Sequence, residues 1–438
     1  MQSMRVAVVS LCTILAVSPV LANGVFPNGV GSRSAALAGA NIADATALGA
    51  LAGNPAGLAW LASRSLDLSV TGLGAGGRFE NGSNADGRME GRAGLLPGVA
   101  YALPAGPHAM RIGLAVIPEA AMVANWRYVD APGGWGGVTY GMQEHRSKIV
   151  VVRTAAGVAL PVSPRLSLGG TVGVVYNQNG LKAPYVFQSQ PTLKGAKTLL
   201  DLNTSGYGFC ATLGATYQPR KDLALGLAYR TPTRVRSHGD ASGNAQAQFD
   251  TVGVPFRPDF HYDAQVLTKF PQTVTLGGAW QAQPRTRLHL QTDWINWANA
   301  FDELPVSLTN GNNADINGFV GSSSLRDVVP LGWKNRVVWR GGVDYAYSDQ
   351  LSIRAGYAHG RSPVPDGTIT PMTAVLMEHS LAAGFGYQRG RYTWDVDSQL
   401  DLPSERRVAS SSLQSGEYDN SLTRVTLGWV GMTMRVQF

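Results

Sequence analysis

Arg336-Val337-Val338-Trp339-Arg340-Gly341-Gly342-Val343-Asp344-Tyr345-Ala346-Tyr347 reads with a period of two. Val337, Trp339, Val343, Tyr345 and Tyr347 fall on one face, and Arg336, Arg340 and Asp344 on the other. Successive side chains of a strand point to opposite sides, so this strand has an apolar, aromatic face and a charged one. The pattern spreads outward in both directions. Tyr392, Trp394, Val396 and Leu400 alternate with Asp395, Asp397 and Gln399. Leu66, Leu68 and Val70 alternate with Ser65, Asp67 and Ser69, and Met110, Ile112, Leu114 and Val116 repeat the spacing. Between residue 64 and Phe438 fourteen such stretches can be read. Their connections alternate. Short ones lie at 104–107, 161–164, 219–222, 283–286, 347–350 and 389–391. Long ones lie at 77–88, 127–146, 179–205, 236–269, 299–333, 360–377 and 403–419. Backbone groups in lipid must all be paired, so strands cross a membrane only as a closed barrel. Apolar-out, polar-in alternation with short turns on one rim and long loops on the other describes an outer-membrane barrel. The expected fold is all-β: a 14-stranded antiparallel transmembrane β-barrel over residues 64–438, with its long loops extracellular.

Composition agrees. Charged residues make up 15% of the chain and glycine is abundant at 53 residues, whereas a soluble domain carries about 25% charge. Residues 1–22 read as a signal peptide: Arg5, an apolar run from Val6 to Val17, then Val20-Leu21-Ala22 before the expected cleavage. The alternative, a membrane anchor, needs a longer apolar run of roughly 20 residues. Of the two cysteines, Cys12 lies in that peptide, leaving Cys210 without an intramolecular partner. The formal charge is +7, scattered rather than run together, which gives no nucleic-acid site. It suits contact with anionic lipopolysaccharide, an anionic ligand, or water around loops.

Residues 23–63 do not alternate. They are rich in Gly, Ala and Asn, and Asn54 before Pro55 reads as a helix N-cap with proline at the first helical position. A fourteen-stranded lumen is too wide for its own side chains to fill, so this segment is expected to plug it.

Arg33, Leu37-Ala38-Gly39-Ala40, Ala43-Asp44-Ala45 and Asn54-Pro55-Ala56-Gly57-Leu58 resemble the N-terminal hatch of the FadL/TodX family of outer-membrane transporters. So do Tyr229-Arg230-Thr231-Pro232, Gly239-Asp240-Ala241, Phe270-Pro271, and Asp293-Trp294 with Trp297 and Phe301. Trp333-Lys334-Asn335, Arg354-Ala355-Gly356-Tyr357 and Ser362-Pro363-Val364-Pro365 follow in order. The alternating C-terminal strand ending on Phe438 resembles the signal that barrel assembly machinery reads. The resemblance implies transport of hydrophobic compounds, first of all long-chain fatty acids, with aromatic hydrocarbons as the alternative. It implies capture at extracellular loops, movement of a hatch marked by Asn54, Pro55 and Ala56, and sideways release into outer-membrane lipid at a kink in the third strand. Here Pro118 and Glu119 mark that kink. Proline cannot donate to a ladder, so a gap, a bulge or a strand end is expected there. Glu119-Ala120 stands where the family has a bulky apolar residue and then Gly. Lys334 matches a position near a bound carboxylate and Lys182 lies near a second such region. Lys334 can equally be a solvated charge at a strand's extracellular end, and an aromatic hydrocarbon needs neither lysine. Loop residues Trp135, Tyr185-Val186-Phe187, Phe249, Phe256, Phe260 and Phe319-Val320 are the expected capture surface; packing beneath a polar cap is the alternative.

No enzyme is read here. Gly-x-Ser-x-Gly and Gly-x-x-x-x-Gly-Lys are absent, and the strand at Glu378-His379-Ser380 turns its middle residue away from its neighbours. Asn84, Asp86 and Gly87 lack EF-hand spacing, so no metal and no cofactor is assigned. The rivals are a general porin or surface barrel, against which the plug argues, and a membrane lipase. A single plugged barrel completes its own pathway, so a monomer is expected.

Overall fold

The computed structural model describes residues 26–90, 94–104 and 110–438. The expected signal peptide, residues 1–22, lies outside them, as does most of the first short connection. Fourteen antiparallel staves form one closed barrel. They are Ser65–Asn81; Asn84–Met89 with Gly94–Pro104; Arg111–Asp130; Gly141–Ser163; Leu166–Val186; Lys197–Arg220; Leu223–Arg230 with Thr233–Asn244; Asp259–Phe270 with Thr273–Gln283; Thr286–Ile295; Arg336–Ala346; Leu351–His359; His379–Arg389; Tyr392–Val408; and Ser421–Gln437. We number them 1 to 14. Each bonds to its neighbours in the chain, and stave 1 closes on stave 14 from Ser65 opposite Gln437 to Glu80 opposite Leu422. No helix among the described residues is long and apolar enough to cross a membrane; the strands do so.

The alternation sorts the walls. Trp339 is 61% exposed on the outer face while Arg340, beside it, is 6% exposed in the lumen. Asp67, Asp395 and Asp397 are buried inward while Leu68, Val70 and Leu400 face out.

The staves run further than the alternation alone implied. The expected loop 77–88 is a tight turn at Gly82-Ser83, with Asn81 opposite Asn84. The expected loop 179–205 shrinks to 187–196, because staves 5 and 6 stay paired up to Val186 opposite Lys197. Lipid dictates the apolar alternation, but backbone pairing needs no lipid, so the ladder continues above the membrane. Connection 299–333 holds a hairpin, Glu303–Thr309 with Leu325–Pro330, bonded to stave 8 from Asp263 opposite Thr309 to Val266 opposite Val306. Pro232 and Pro271 interrupt staves 7 and 8 at one height, where neither can donate to the ladder.

Residues 26–61 lie inside the barrel. Helix Ser32–Ala36 packs on staves 11 to 14, helix Ala47–Ala52 on staves 1 to 4, and the 3₁₀ turn Pro55–Trp60 on staves 3 to 6. Leu48, Leu51 and Leu58 bury against Ala100, Ala102, Ala115, Ala155 and Ala159, small side chains that leave room. Glycine permits the closest approaches. A side chain at Gly214 would overlap the Asn54 amide, and one at Gly356 the Leu37 backbone.

Candidate functional site

The extracellular half of the lumen holds a cavity of about 430 Å³. Its walls come from the upper ends of staves 3 to 6 and 8, the loop helix Gln246–Val252, the hairpin 303–330, and the connections that carry Trp135, Met372 and Tyr418. Leu181, Leu200, Leu202, Val266, Val306 and Leu325 face it. The sequence's loop aromatics converge here. Tyr185, Phe187 and Phe260 join Trp135, Phe249, Phe256 and Phe319 on the lining, with Val186. Phe256 bridges Phe249 and Phe319 at ring separations of 5.5 and 6.2 Å. Val320 packs on the same cluster. The volume falls within the roughly 300–1,000 Å³ of a small-molecule pocket.

One carboxylate locks these loops together. Asp327, on the hairpin, accepts hydrogen bonds from Tyr185 Oη and from the backbone nitrogens of Gln188 (2.9 Å), Ser189 (2.6 Å) and Gln190 (2.9 Å). Burial raises its carboxyl pKa, but the hydrogen bonds led by Tyr185 outweigh burial and hold the group below its usual value.

Lower in the lumen the chemistry reverses. A second cavity of about 170 Å³ is bounded by Phe26, Ile42, Glu119, Arg153, Arg230 and Arg340 among others. Glu119 lies between two arginines: Arg153 Nε is 2.8 Å from its Oε2, and Arg230 contacts Oε1. Arg153 also donates to the Ala52 carbonyl at 2.9 Å, tying the wall to the internal segment. Arg340 pairs with Asp293 at 2.6 Å and donates to Asn28 and the Ala38 carbonyl. The five charged groups, two acids and three arginines, leave one positive charge facing this space.

Asn54 caps its turn by accepting from Ala56 N at 3.2 Å. Its amide nitrogen donates to the carbonyls of Ile42 (2.9 Å) and Ala215 (3.0 Å). Pro55 follows at the first turn position, and Ala56 is buried, its carbonyl accepting from Ser167 Oγ at 3.0 Å.

Pro118 and Glu119 sit at an irregularity of the wall. The register against stave 4 slips between Pro118 (opposite Val152) and Ala120 (opposite Val151), so one residue is extra. Glu119 and Ala120 are both buried, as a bulge requires. On the other side, stave 3 pairs with stave 2 from Arg111 to Val116 and again at Trp126 and Arg127, with Glu90 N donating to the Asn125 carbonyl at 2.7 Å. Residues 94–98 of stave 2 make no ladder pair with stave 3, and Gly98, Leu96 and Pro118 there line a small space continuous with residues 27–35.

The two lysines lie elsewhere. Lys334 is exposed above stave 10 and Lys182 pairs with Glu144 at 3.2 Å on the outer face; neither lines either cavity. Sequence reading passed over Arg153 and Asp327. Arg153 carried a signal, a lone charge in the apolar run 149–152. Glu378, His379 and Ser380 part: Glu378 pairs with Arg406 and donates nothing, His379 meets Tyr357 Oη at 2.6 Å outside, and Ser380 turns to Asp401 inside. Asp130, His145 and Glu417 converge in metal-ligand fashion. The cation there is the protein's own, because Lys197 Nζ sits 2.5 Å from Asp130 and donates to two carbonyls.

The barrel thus holds an apolar chamber in its upper lumen and residues 26–61 in its lower lumen. Residues 15–420 match the family of outer membrane transport proteins described as OMPP1/FadL/TodX, and the chain belongs to that family. It is a protein of the Gram-negative outer membrane. It is 23% identical over 167 residues to the long-chain fatty acid transport protein of Escherichia coli K12, a match covering 37% of this chain and 34% of that protein. Its fold is similar to a Pseudomonas aeruginosa FadL homologue: TM-score 0.75, 16% identity, 95% of this chain and 100% of the other. The toluene transporter TodX of P. putida gives TM-score 0.75 and 16% identity over 94% and 99% of the two chains. TbuX of Ralstonia pickettii gives 0.73 and 18% over 94% and 99%.

Proposed function

We propose that this chain carries hydrophobic compounds inward across the outer membrane, with long-chain fatty acids as the first substrate class. The observation that carries the reading is the apolar chamber beneath the extracellular loops, with residues 26–61 packed in the lumen lower down. An apolar solute leaving water for such a chamber gains roughly 25 cal/mol per Å² of buried surface. Lys334 and Lys182, exposed toward the extracellular rim, would meet a carboxylate before it enters. Residues 26–61 act as a hatch. Its shift opens a path to the interrupted ladder beside Pro118, through which the solute reaches lipid sideways.

The net positive charge around Arg153 and Arg230 favours a fatty acid. A buried carboxylate needs a partner, and two guanidiniums sharing one Glu119 can supply it. The relatives' names support both substrate classes: a fatty acid transporter on one side, toluene transporters on the other. A neutral hydrocarbon needs the chamber but neither arginine.

Labelled oleate and toluene uptake by cells lacking their own transporter separates the two. Oleate uptake lowered about tenfold by Arg230→Gln, equivalent to about 1.4 kcal/mol, with toluene unaffected, supports the fatty-acid reading. Toluene uptake alone moves the protein to the hydrocarbon class, and uptake of neither by an inserted barrel sinks both.

A further inference from the structure

Four arginines form one cross-strand row over the extracellular ends of staves 14, 1, 2 and 3. Arg424 stands opposite Arg78, Arg78 opposite Arg88, and Arg88 opposite Arg127. All four are exposed. Their chain neighbours Val425, Phe79, Met89 and Trp126 are buried inward, so the row faces out. Adjacent strands are only about 4.8 Å apart, and like charges placed opposite one another repel. Two acids relieve part of this. Arg78 lies 2.8 Å from Glu80 and 3.3 Å from Asp86, which also pairs with Arg88 at 2.7 Å. Glu405 and Glu144 stand at the ends of the row, but their closest cations are Arg407 at 3.9 Å and Lys182 at 3.2 Å. The side chains of Arg127 and Arg424 have no hydrogen-bond or ion-pair partner among the described residues. Four cations against Glu80, Asp86 and Glu90, exposed on the same face two residues below Arg88, leave one positive charge on this surface.

The height of the row is informative. Below it on the same outer columns come Thr426, Gly428, Gly76, Gly74 and Gly72, and then Val430 and Val70, 61% and 44% exposed, which are lipid-facing; the row therefore stands above the apolar belt, on its headgroup side. Trp294, Trp339 and Tyr357 lie on the outer faces of the shorter staves 9 to 11, and a second pair of exposed outward cations, Arg234 and Arg236, lies on stave 7; the row of four is distinguished by direct cross-strand pairing. The row also crosses the top of the interrupted ladder between staves 2 and 3.

We propose that Arg424, Arg78, Arg88 and Arg127 form a binding site for the phosphates of lipopolysaccharide in the outer leaflet. Guanidinium is a planar fork that holds phosphate oxygens two at a time. A phosphorylated headgroup lying over the row neutralises the charge that its own carboxylates leave. The inference rests on the outer-membrane placement alone, not on which compound is transported.

The test uses the purified full-length barrel and compares it with the R78Q/R88Q/R127Q/R424Q variant. A second variant, R220Q/K221Q/R389Q/R391Q, removes equal charge from the opposite rim. The probes are lipopolysaccharide, the same material stripped of phosphate, and inorganic phosphate, each read by binding and by the unfolding temperature. The expected result is binding of intact lipopolysaccharide weakened about tenfold in the row variant, with the opposite-rim variant unchanged. Stripped lipopolysaccharide should raise the unfolding temperature of the natural barrel less than intact material does. Equal binding by all three proteins, or equal binding of stripped material, overturns the proposal. So does equal weakening in the opposite-rim variant, which would make net charge the cause. Inorganic phosphate reproducing the full thermal shift would replace the lipid with a free anion. Arg127→Gln and Arg424→Gln singly, each touching no partner, should give intermediate losses and guard against misfolding of the fourfold variant. Oleate uptake measured alongside bears on transport and leaves this result intact.

Discussion

The two halves of the lumen are both lined by inward positions of one barrel wall, yet they do opposite things. The upper half is apolar and holds open space, and its walls are loops locked by Asp327. The lower half is filled by residues 26–61 and held by ion pairs such as Glu119 with Arg153 and Arg340 with Asp293. An inward-facing position is therefore not one environment. Where a protein segment supplies hydrogen-bond partners, charge can be buried; where nothing does, only apolar side chains can line a space without unpaired polar groups.

The largest expected effect lies in the lower half. Arg153→Met removes one partner of a buried carboxylate and should destabilise the barrel by about 3–5 kcal/mol, seen in denaturant unfolding. A loss no greater than that of Leu200→Ala in the upper wall would break the contrast. Next comes the boundary between the halves. Deleting Ala120 removes the extra residue of the bulge while keeping Glu119 inward. It should lower substrate uptake about tenfold, equivalent to about 1.4 kcal/mol, with the barrel still folded. Full uptake would exclude the interrupted ladder as the way out. Asn54→Ala removes the cap, the bond to the Ile42 carbonyl and the wall bond to Ala215, a loss of about 2 kcal/mol local to the internal segment. Hydrogen exchange should show faster opening of residues 54–60 with staves 3 to 6 unchanged. The smallest effect is expected above. Asp327→Asn weakens the loop anchor by about 1–2 kcal/mol, read as faster proteolytic cutting within 187–196 at neutral pH. Because the folded Asp327 carboxyl is held below its usual value, its stabilisation is present above about pH 3.9 and is lost as pH falls through the folded value. The natural protein should show the same cutting only in that acid range.

Much of the architecture was legible in the residues. Val337 and Trp339 against Arg340 and Asp344 gave the wall its two sides, and Asn54-Pro55 marked a capped turn. The loop aromatics, singly ambiguous, share one chamber. The upper reach of staves 5 and 6 was not legible, because above the membrane the outer face no longer needs to be apolar and the alternation fades while the ladder continues. Lys334 reads by its motif as a carboxylate partner or as a solvated charge, and it is exposed above stave 10, since a motif fixes residue type and not surroundings.

By itself the sequence determined the compartment, the closed barrel and the inward or outward side of each stave residue, because a strand's alternation is a local property repeated every two residues. Only the tertiary structure decided which inward residues share a height. Glu119, Arg153 and Arg230 come from staves 3, 4 and 7, and the arginine row from staves 14, 1, 2 and 3. Those meetings depend on the stagger between staves and on the closure of the first stave against the last, both properties of the whole barrel.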